Sequence, residues 1–280
     1  MRAGAQAAAG ILRGFVYEKK GSTALIQAPS LMAAPGVAHG FSTKEGGISP
    51  APRAGLNLHW SNQGIAEDVL ENYRIFAAGA GIRYDDMVIV NHVHGDTVLR
   101  VHASHRGRGF ALPPLPPCDG IITCDPRVTL VTSHADCGAF FFYDPVHRAV
   151  GMAHAGWRGT LMGIGRVMAL RMAEEFGTDP ADILAAMGPC ICGPCFEVDE
   201  PLADEFVRVY NCPELKLPGK PGKAHVDLPL CAALQFMQAG ILPAHITHMD
   251  LCTYENPRLF YSYRRDRGET GSMAAFIRLI

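Results

Sequence analysis

The chain has 280 residues, 48 % of them apolar and 19 % charged, with a net charge of −2. That balance supplies a packed core, excludes a disordered chain and offers no broad cationic footprint for nucleic acid. Nine cysteines, an odd number in a chain of ordinary domain size, fit reduced thiols in a cytoplasmic protein better than a secreted disulfide framework.

In chain order, the first twenty residues, MRAGAQAAAGILRGFVYEKK, hold an apolar stretch interrupted by Gln6 and closed by Arg13, without the Leu-rich centre of a signal peptide. Residues 1–30 read as an Ala-rich leader and a first strand-like segment, and residues 31–280 as a single domain. No run approaches the roughly 20 apolar residues of a membrane span, so no membrane partner is expected. The apolar MVIV (Met87–Val90) reads as a strand ending at NHVHGDTV. The Pro-rich RGRGFALPPLPPCDG (Arg106–Gly120) is an excursion within the domain. Val128–Ser133, Ala139–Tyr143 and Ala149–His154 are apolar runs of strand length, with Asp144-Pro145 turning between the last two.

Helical spacing of Leu161, Ile164, Met168 and Met172 predicts one helix over Thr160–Phe176, stopped by Gly177. Two more follow, Asp199–Tyr210 and Leu228–Gln238, opened by Asp199 and Asp227 as caps and separated by a surface loop over Asn211–His225. The tail segments ITHMDLC, FYSYRR and SMAAFIRLI read as strands. The fold class that results is α+β (mixed α/β), with mixed sheets packed against helices in one compact domain.

Three strand ends carry metal-ligating types: His94 after MVIV, Cys137 after VTLVTS, and His154 closing AVGMA. Two imidazoles and a thiolate make a borderline-soft set suited to Zn²⁺, and three ligands leave a position open for chemistry. The same residues also admit plainer roles: a buried thiol, carbonyl-capping histidines, or a Cys137 nucleophile with His154 or His134 as base. Arg158, in GWRGT at a predicted helix start, can hold an oxyanion or simply pair with a carboxylate.

Cys192-Gly193-Pro194-Cys195 has the spacing of a redox motif, but FEVDEP follows where a helix is required. A tri-cysteine metal loop of Cys190, Cys192 and Cys195 is conceivable, though no second cluster along the sequence completes it. A cytidine-deaminase zinc site needs H-x-E with P-C-x-x-C, which is absent. His59, His102, His105, His147 and His248 read as ordinary surface or core histidines.

HGFSTKEGGIS, GLNL, NHVHGDTV, CDGIIT, HADCG, AHAGWRGT, GPCICGPCFEV and DLCTYENPRLFYSYRRD stand in this order from His39 to near the C-terminus. In them the chain resembles the YfiH family, the polyphenol-oxidase or laccase-domain proteins whose members are described as purine nucleoside phosphorylases. The resemblance implies a YfiH-like domain with zinc on His94, Cys137 and His154. It implies phosphorolysis of adenosine, inosine, guanosine and S-methyl-5′-thioadenosine, with an adenosine deaminase activity; purine nucleosides and phosphate are then the partners. Lys44 and Arg158 are the expected phosphate contacts, and Asp136 an expected proton carrier or hydrogen-bonding neighbour. His92 and Lys44 depart from the family's usual Gln and Arg. Lys44 thereby keeps a charge but loses the bidentate fork. A copper polyphenol oxidase, with Cu²⁺ in the same ligands in vitro, and a peptidoglycan-precursor editing hydrolase are the other enzyme classes. The several clustered histidine motifs of a multicopper site are not assembled here.

Overall fold

The structure is a computed structural model that describes residues 10–61 and 66–280; the stretch over residues 1–9, where the leader was expected, lies outside the described residues. One sheet takes β1 (Leu12–Arg13), β6 (Val98–Arg100), β7 (Gly120–Thr123), β9 (Gly138–Asp144), β10 (Ala149–Ala155), β11 (Leu184–Met187) and β15 (Ile246–His248). Their order is β1-β15-β11-β9-β10-β7-β6. A second sheet takes β2 (Val16–Lys20), β3 (Thr23–Gln27), β4 (Val37–Ser42), β5 (Met87–Ile89), β8 (Thr129–His134) and β16 (Met273–Leu279), in the order β2-β3-β4-β16-β8-β5. A small third sheet holds β12 (Glu197–Asp199), β13 (Lys216–Pro218) and β14 (Lys223–Val226).

The helices are α1 (Pro29–Ala33), α2 (Glu67–Ala80), α3 (Trp157–Met162), α4 (Ile164–Phe176), α5 (Glu200–Tyr210) and α6 (Leu228–Gln238). The fold is α+β, as read from the sequence.

Side-chain alternation explains the layers. Along β9, Phe141 turns inward with Phe41, Leu130 and Ile277 of the second sheet, while Phe140 and Phe142 face Met168, Met172 and Phe236 of α4 and α6. The two large sheets therefore pack face to face. Helices α4 and α6 cover one outer face and α2 the other through Tyr73 and Phe76. A strand buried on both faces reads as the unbroken apolar run GAFFFY, closed by Asp144.

Four expectations are corrected. The helix expected over Thr160–Phe176 is two: Gly163 takes φ +91°, caps α3 with its N–H and starts α4, so Leu161 packs with the small sheet while Ile164, Met168 and Met172 pack with α6. The Asn211–His225 loop contains β13 and starts β14. Asp227 caps its helix through Leu230 N at 2.9 Å, whereas Asp199 makes no cap and pairs with Lys223 at 2.6 Å. FYSYRR forms no strand, because its backbone polar groups are taken up by side chains described below, and ITHMDLC is strand only over β15, with an isolated bridge from Cys252 to Cys190.

His39 on β4 is buried, accepts a 2.8 Å hydrogen bond from Ala28 N on Nε2, and meets Phe141 edge-on at 5.6 Å. Burial pulls its pKa down to about 3. The unfolded chain takes up this proton near pH 6.5 and the native state does not, so stability present above that pH is lost as pH falls toward 3. The loss amounts to about 2 kcal/mol by about pH 5. His39→Gln, which keeps an acceptor for Ala28 N, is expected to show a smaller drop in unfolding midpoint between about pH 7.5 and about pH 5. An undiminished drop would contradict the assignment.

Candidate metal centre

The centre lies where β8 of one large sheet passes into β9 of the other. His134 ends β8, Asp136 takes φ +79° in the connecting turn, and Cys137 stands just before Gly138 opens β9. His154 lies on β10, paired with Ala139 of β9. His94 follows β5 on a loop whose backbone is left-handed at His94 itself, φ +61°. One ligand atom each from His94, Cys137 and His154 lies within 4.8 Å of the other two, so the three residues predicted from strand ends do come together.

Asp119 builds this convergence. It immediately precedes β7, which pairs with β10, and its carboxylate is fully buried. It accepts from Val93 N (3.1 Å), His94 N (3.0 Å) and Gly95 N (2.7 Å), wrapping the His94 loop around itself. It also accepts from His154 Nδ1 at 3.0 Å, which turns His154 Nε2 toward the other ligands; such a carboxylate–histidine pair sets both tautomer and ring orientation at metal sites. Gly156 keeps the space open: a Cβ there would stand 2.4 Å from His94 Nδ1 and 3.3 Å from Cys137 Sγ.

Electrostatics follow from the packing. Burial opposes charge on Cys137, but His154 and His94 outweigh it and bring the thiol from 9.0 down to about 7, toward the thiolate that binds metals. Burial likewise opposes the imidazolium of His154, yet Cys137 and Asp119 raise it to about 9. Binding a metal therefore displaces protons from this pair. His92 stacks on His154 at 4.4 Å and is held neutral, its pKa pushed to about 3 by burial and by His154 and His94. Its Nδ1 is buried without a hydrogen-bond partner among the described residues.

His94, Cys137 and His154 line a cavity of about 570 Å³. Arg53, Arg158 and Arg264 also line it, and neither Arg53 nor Arg158 is paired with a carboxylate among the described residues. Arg158 lies over Trp157 at 4.5 Å. The helix it opens is the short α3 rather than the long one expected, so the anion contact expected of Arg158 rests on its guanidinium and not on a helix end. Lys44 is not among the lining residues: its ammonium stands 5.8 Å over the Tyr261 ring, and its backbone is tied to Leu259 and Leu56.

Asp136 does line the cavity, but its carboxylate accepts from Thr253 Oγ1 (2.6 Å), Ser262 Oγ (2.9 Å) and Arg264 N (2.7 Å). Those bonds make it a positioning residue for the Cys137 turn and explain why FYSYRR folds around a side chain instead of a ladder. Arg265 completes that wrap by donating to the carbonyls of Thr253, Tyr254 and Phe260.

Sequence reasoning missed Asp119, Arg53 and Arg264. For Asp119 a signal existed, because an acid directly before the apolar GIIT stands at a strand end like the three ligands. For the arginines there was none, since each reaches the cavity from an irregular loop.

The family model described as multi-copper polyphenol oxidoreductase laccase matches residues 38–280. The chain is 38 % identical over 242 residues to the purine nucleoside phosphorylase YlmD of Bacillus subtilis, covering 85 % of this chain and 87 % of that protein. It is 36 % identical over 255 residues to a purine nucleoside phosphorylase of Deinococcus radiodurans, covering 91 % and 92 %. The crystal structure of YlmD from Geobacillus stearothermophilus superposes with a TM-score of 0.87 at 34 % identity, covering 95 % of this chain and 99 % of that one.

Proposed function

The chain belongs to the laccase-domain family also known as YfiH, described as multi-copper polyphenol oxidoreductase laccase, and from that footing we propose that it is a zinc-dependent purine nucleoside phosphorylase. The observation that carries the reading is a His94–Cys137–His154 ligand set on the wall of an arginine-rimmed cavity large enough for a nucleoside. The residues fit a borderline-soft divalent ion: one thiol tuned toward thiolate, one imidazole oriented by a carboxylate, and a glycine holding the space.

In phosphorolysis the bond between C1′ and the purine nitrogen breaks through an oxocarbenium-like state, a phosphate oxygen bonds to C1′, and the base leaves with a proton. Arg158 and Arg53 hold the phosphate against repulsion and Arg158 offers a bidentate fork. Trp157 and Phe196 supply apolar faces for the base, and His92 Nδ1 a free polar contact. Asp119 and Asp136 fix the ligands and their turn. When bound, the ion supplies Lewis-acid polarisation at the wall of the cavity. The same centre supports adenosine deamination as a second activity.

Several coppers need several clustered histidine sites; among the described residues only one group of three or more ligands contains histidine, which favours the single-ion reading over a multicopper oxidase.

Metal-quantified protein given adenosine is expected to release adenine and ribose 1-phosphate only when phosphate is present, and to form inosine with or without it. Arg158→Ala is expected to raise the KM for phosphate about tenfold, the loss of a charge-assisted hydrogen bond. Absence of phosphate-dependent base release would refute the phosphorylase reading, and phenol oxidation by the copper-loaded protein would favour the oxidase.

A further inference from the structure

We propose that Cys192, Cys195, Cys252 and Glu255 form a second metal site, closed and structural, for zinc or a similar borderline-soft divalent ion. Three thiol sulfurs and a carboxylate oxygen lie within 4.8 Å of one another, and none of the four residues belongs to the histidine-containing centre. A tetrahedron of zinc–sulfur bonds of about 2.3 Å has edges of about 3.8 Å, so the donors close on an ion by shifts of less than about 1 Å.

The local build supports this. Cys192 and Cys195 carry the C-x-x-C spacing of structural zinc sites on a tight turn in which Cys195 N and Phe196 N both donate to Cys192 O at 3.1 Å. Cys252 comes from the segment after β15, bridged to Cys190 through Cys190 N to Leu251 O (3.2 Å) and Thr253 N to Cys190 O (3.0 Å). Cys192 N donates to Cys252 Sγ at 3.4 Å, which ties the C-x-x-C turn to the third sulfur.

Glu255 Oε2 lies 3.8 Å from Cys192 Sγ, and no lysine or arginine pairs with Glu255 among the described residues. An acid unpaired with lysine or arginine beside three thiols supplies the soft and hard donors that a borderline-soft divalent ion takes. Cys252 is buried, while Cys192 and Cys195 are half-buried and Glu255 is exposed, so an ion enters from solvent onto an anchored ligand. Binding a divalent ion releases the three thiol protons to water and leaves the cluster with two net negative charges. Four protein ligands leave no open vertex, which sets this site apart from the catalytic one.

The structure thus completes the tri-cysteine loop that the sequence left unfinished, and with different members. Cys190 is buried outside the donor group, while Cys252 and Glu255 enter it. The bound ion braces the cavity. Ile191 and Phe196 flank the turn and line the cavity, Ile191 N donates to Asp136 O, and Thr253 beside Cys252 donates to the Asp136 carboxylate just before Cys137.

The test uses untagged, reduced full-length protein in a Cys137→Ala background, so that its outcome is independent of the first centre and of the phosphorylase reading. Zinc titrated against a chromophoric chelator is expected to bind at one equivalent per chain. The cobalt-loaded protein should show an intense sulfur-to-metal charge-transfer band. Cys195→Ser in this background is expected to lose both the equivalent and the band. Glu255→Gln, an exposed change that leaves the thiols in place, should weaken retention about tenfold or more. Failure of the Cys137→Ala protein to bind zinc would overturn the site, as would binding unchanged by both Cys195→Ser and Glu255→Gln. Detection of a Cys192–Cys195 disulfide formed in preference to metal binding would overturn it in favour of a redox pair.

Discussion

Cys137→Ala is expected to lose one equivalent of metal per chain and to lower phosphorolysis about a thousandfold or more, the several kcal/mol that a Lewis acid contributes at about 1.4 kcal/mol per decade. Deamination should fall with it. The thiol sits in a turn between two strands whose pairing does not depend on it, and Asp136 still holds that turn through Thr253, Ser262 and Arg264. Far-ultraviolet circular dichroism should therefore be unchanged while metal content falls by one equivalent per chain and product formation collapses. A Cys137→Ala protein that lacks this equivalent and keeps undiminished phosphorolysis would falsify the metal assignment. A Cys–His nucleophile also needs Cys137, but predicts full activity in wild-type protein stripped of metal, so chelation separates the two.

Asp119→Asn is expected to have the next largest effect, and it acts without touching the metal. The native carboxylate accepts from His154 Nδ1 and from three backbone N–H groups of the His94 loop. An amide has one oxygen to offer and two hydrogens that need acceptors. If its nitrogen faces His154, the ring must accept there and carry its proton on Nε2, the atom needed for the ion. If it faces the loop, buried N–H groups oppose one another. Loss of such an orienting partner costs about 10–100-fold in metal affinity. Activity of Asp119→Asn should be restored in part by excess zinc, with the activation curve displaced by that factor; this rescue distinguishes a positioning residue from one that reacts. Wild-type zinc affinity in Asp119→Asn would sink the argument.

Much of this was readable from local patterns. Apolar runs located β8, β9, β10 and β16 to within a residue or so, because strands buried on both faces leave long unbroken apolar stretches. The same signal failed at FYSYRR, where alternating aromatic and polar residues look like a strand but the backbone serves Asp136 and Arg265. The long helix failed at Gly163, since apolar spacing continues across a residue whose left-handed backbone turns the chain. Lys44 stands in a motif expected to contact phosphate; its ammonium lies 5.8 Å over the Tyr261 ring, and Lys44 is not among the residues lining the cavity.

By itself the sequence determined the chemistry available: which residues can bind a metal, which runs are strands, and that thiols and imidazoles stand at strand ends. Only the tertiary structure decided which of them meet. It set β10 beside β7, so that Asp119 reaches both His154 and the His94 loop, and it brought Cys252 and Glu255 to Cys192 and Cys195. The reason is physical. Periodicity along a chain reports which faces are buried, whereas the register and neighbours of distant strands are chosen by packing between segments that share no local pattern.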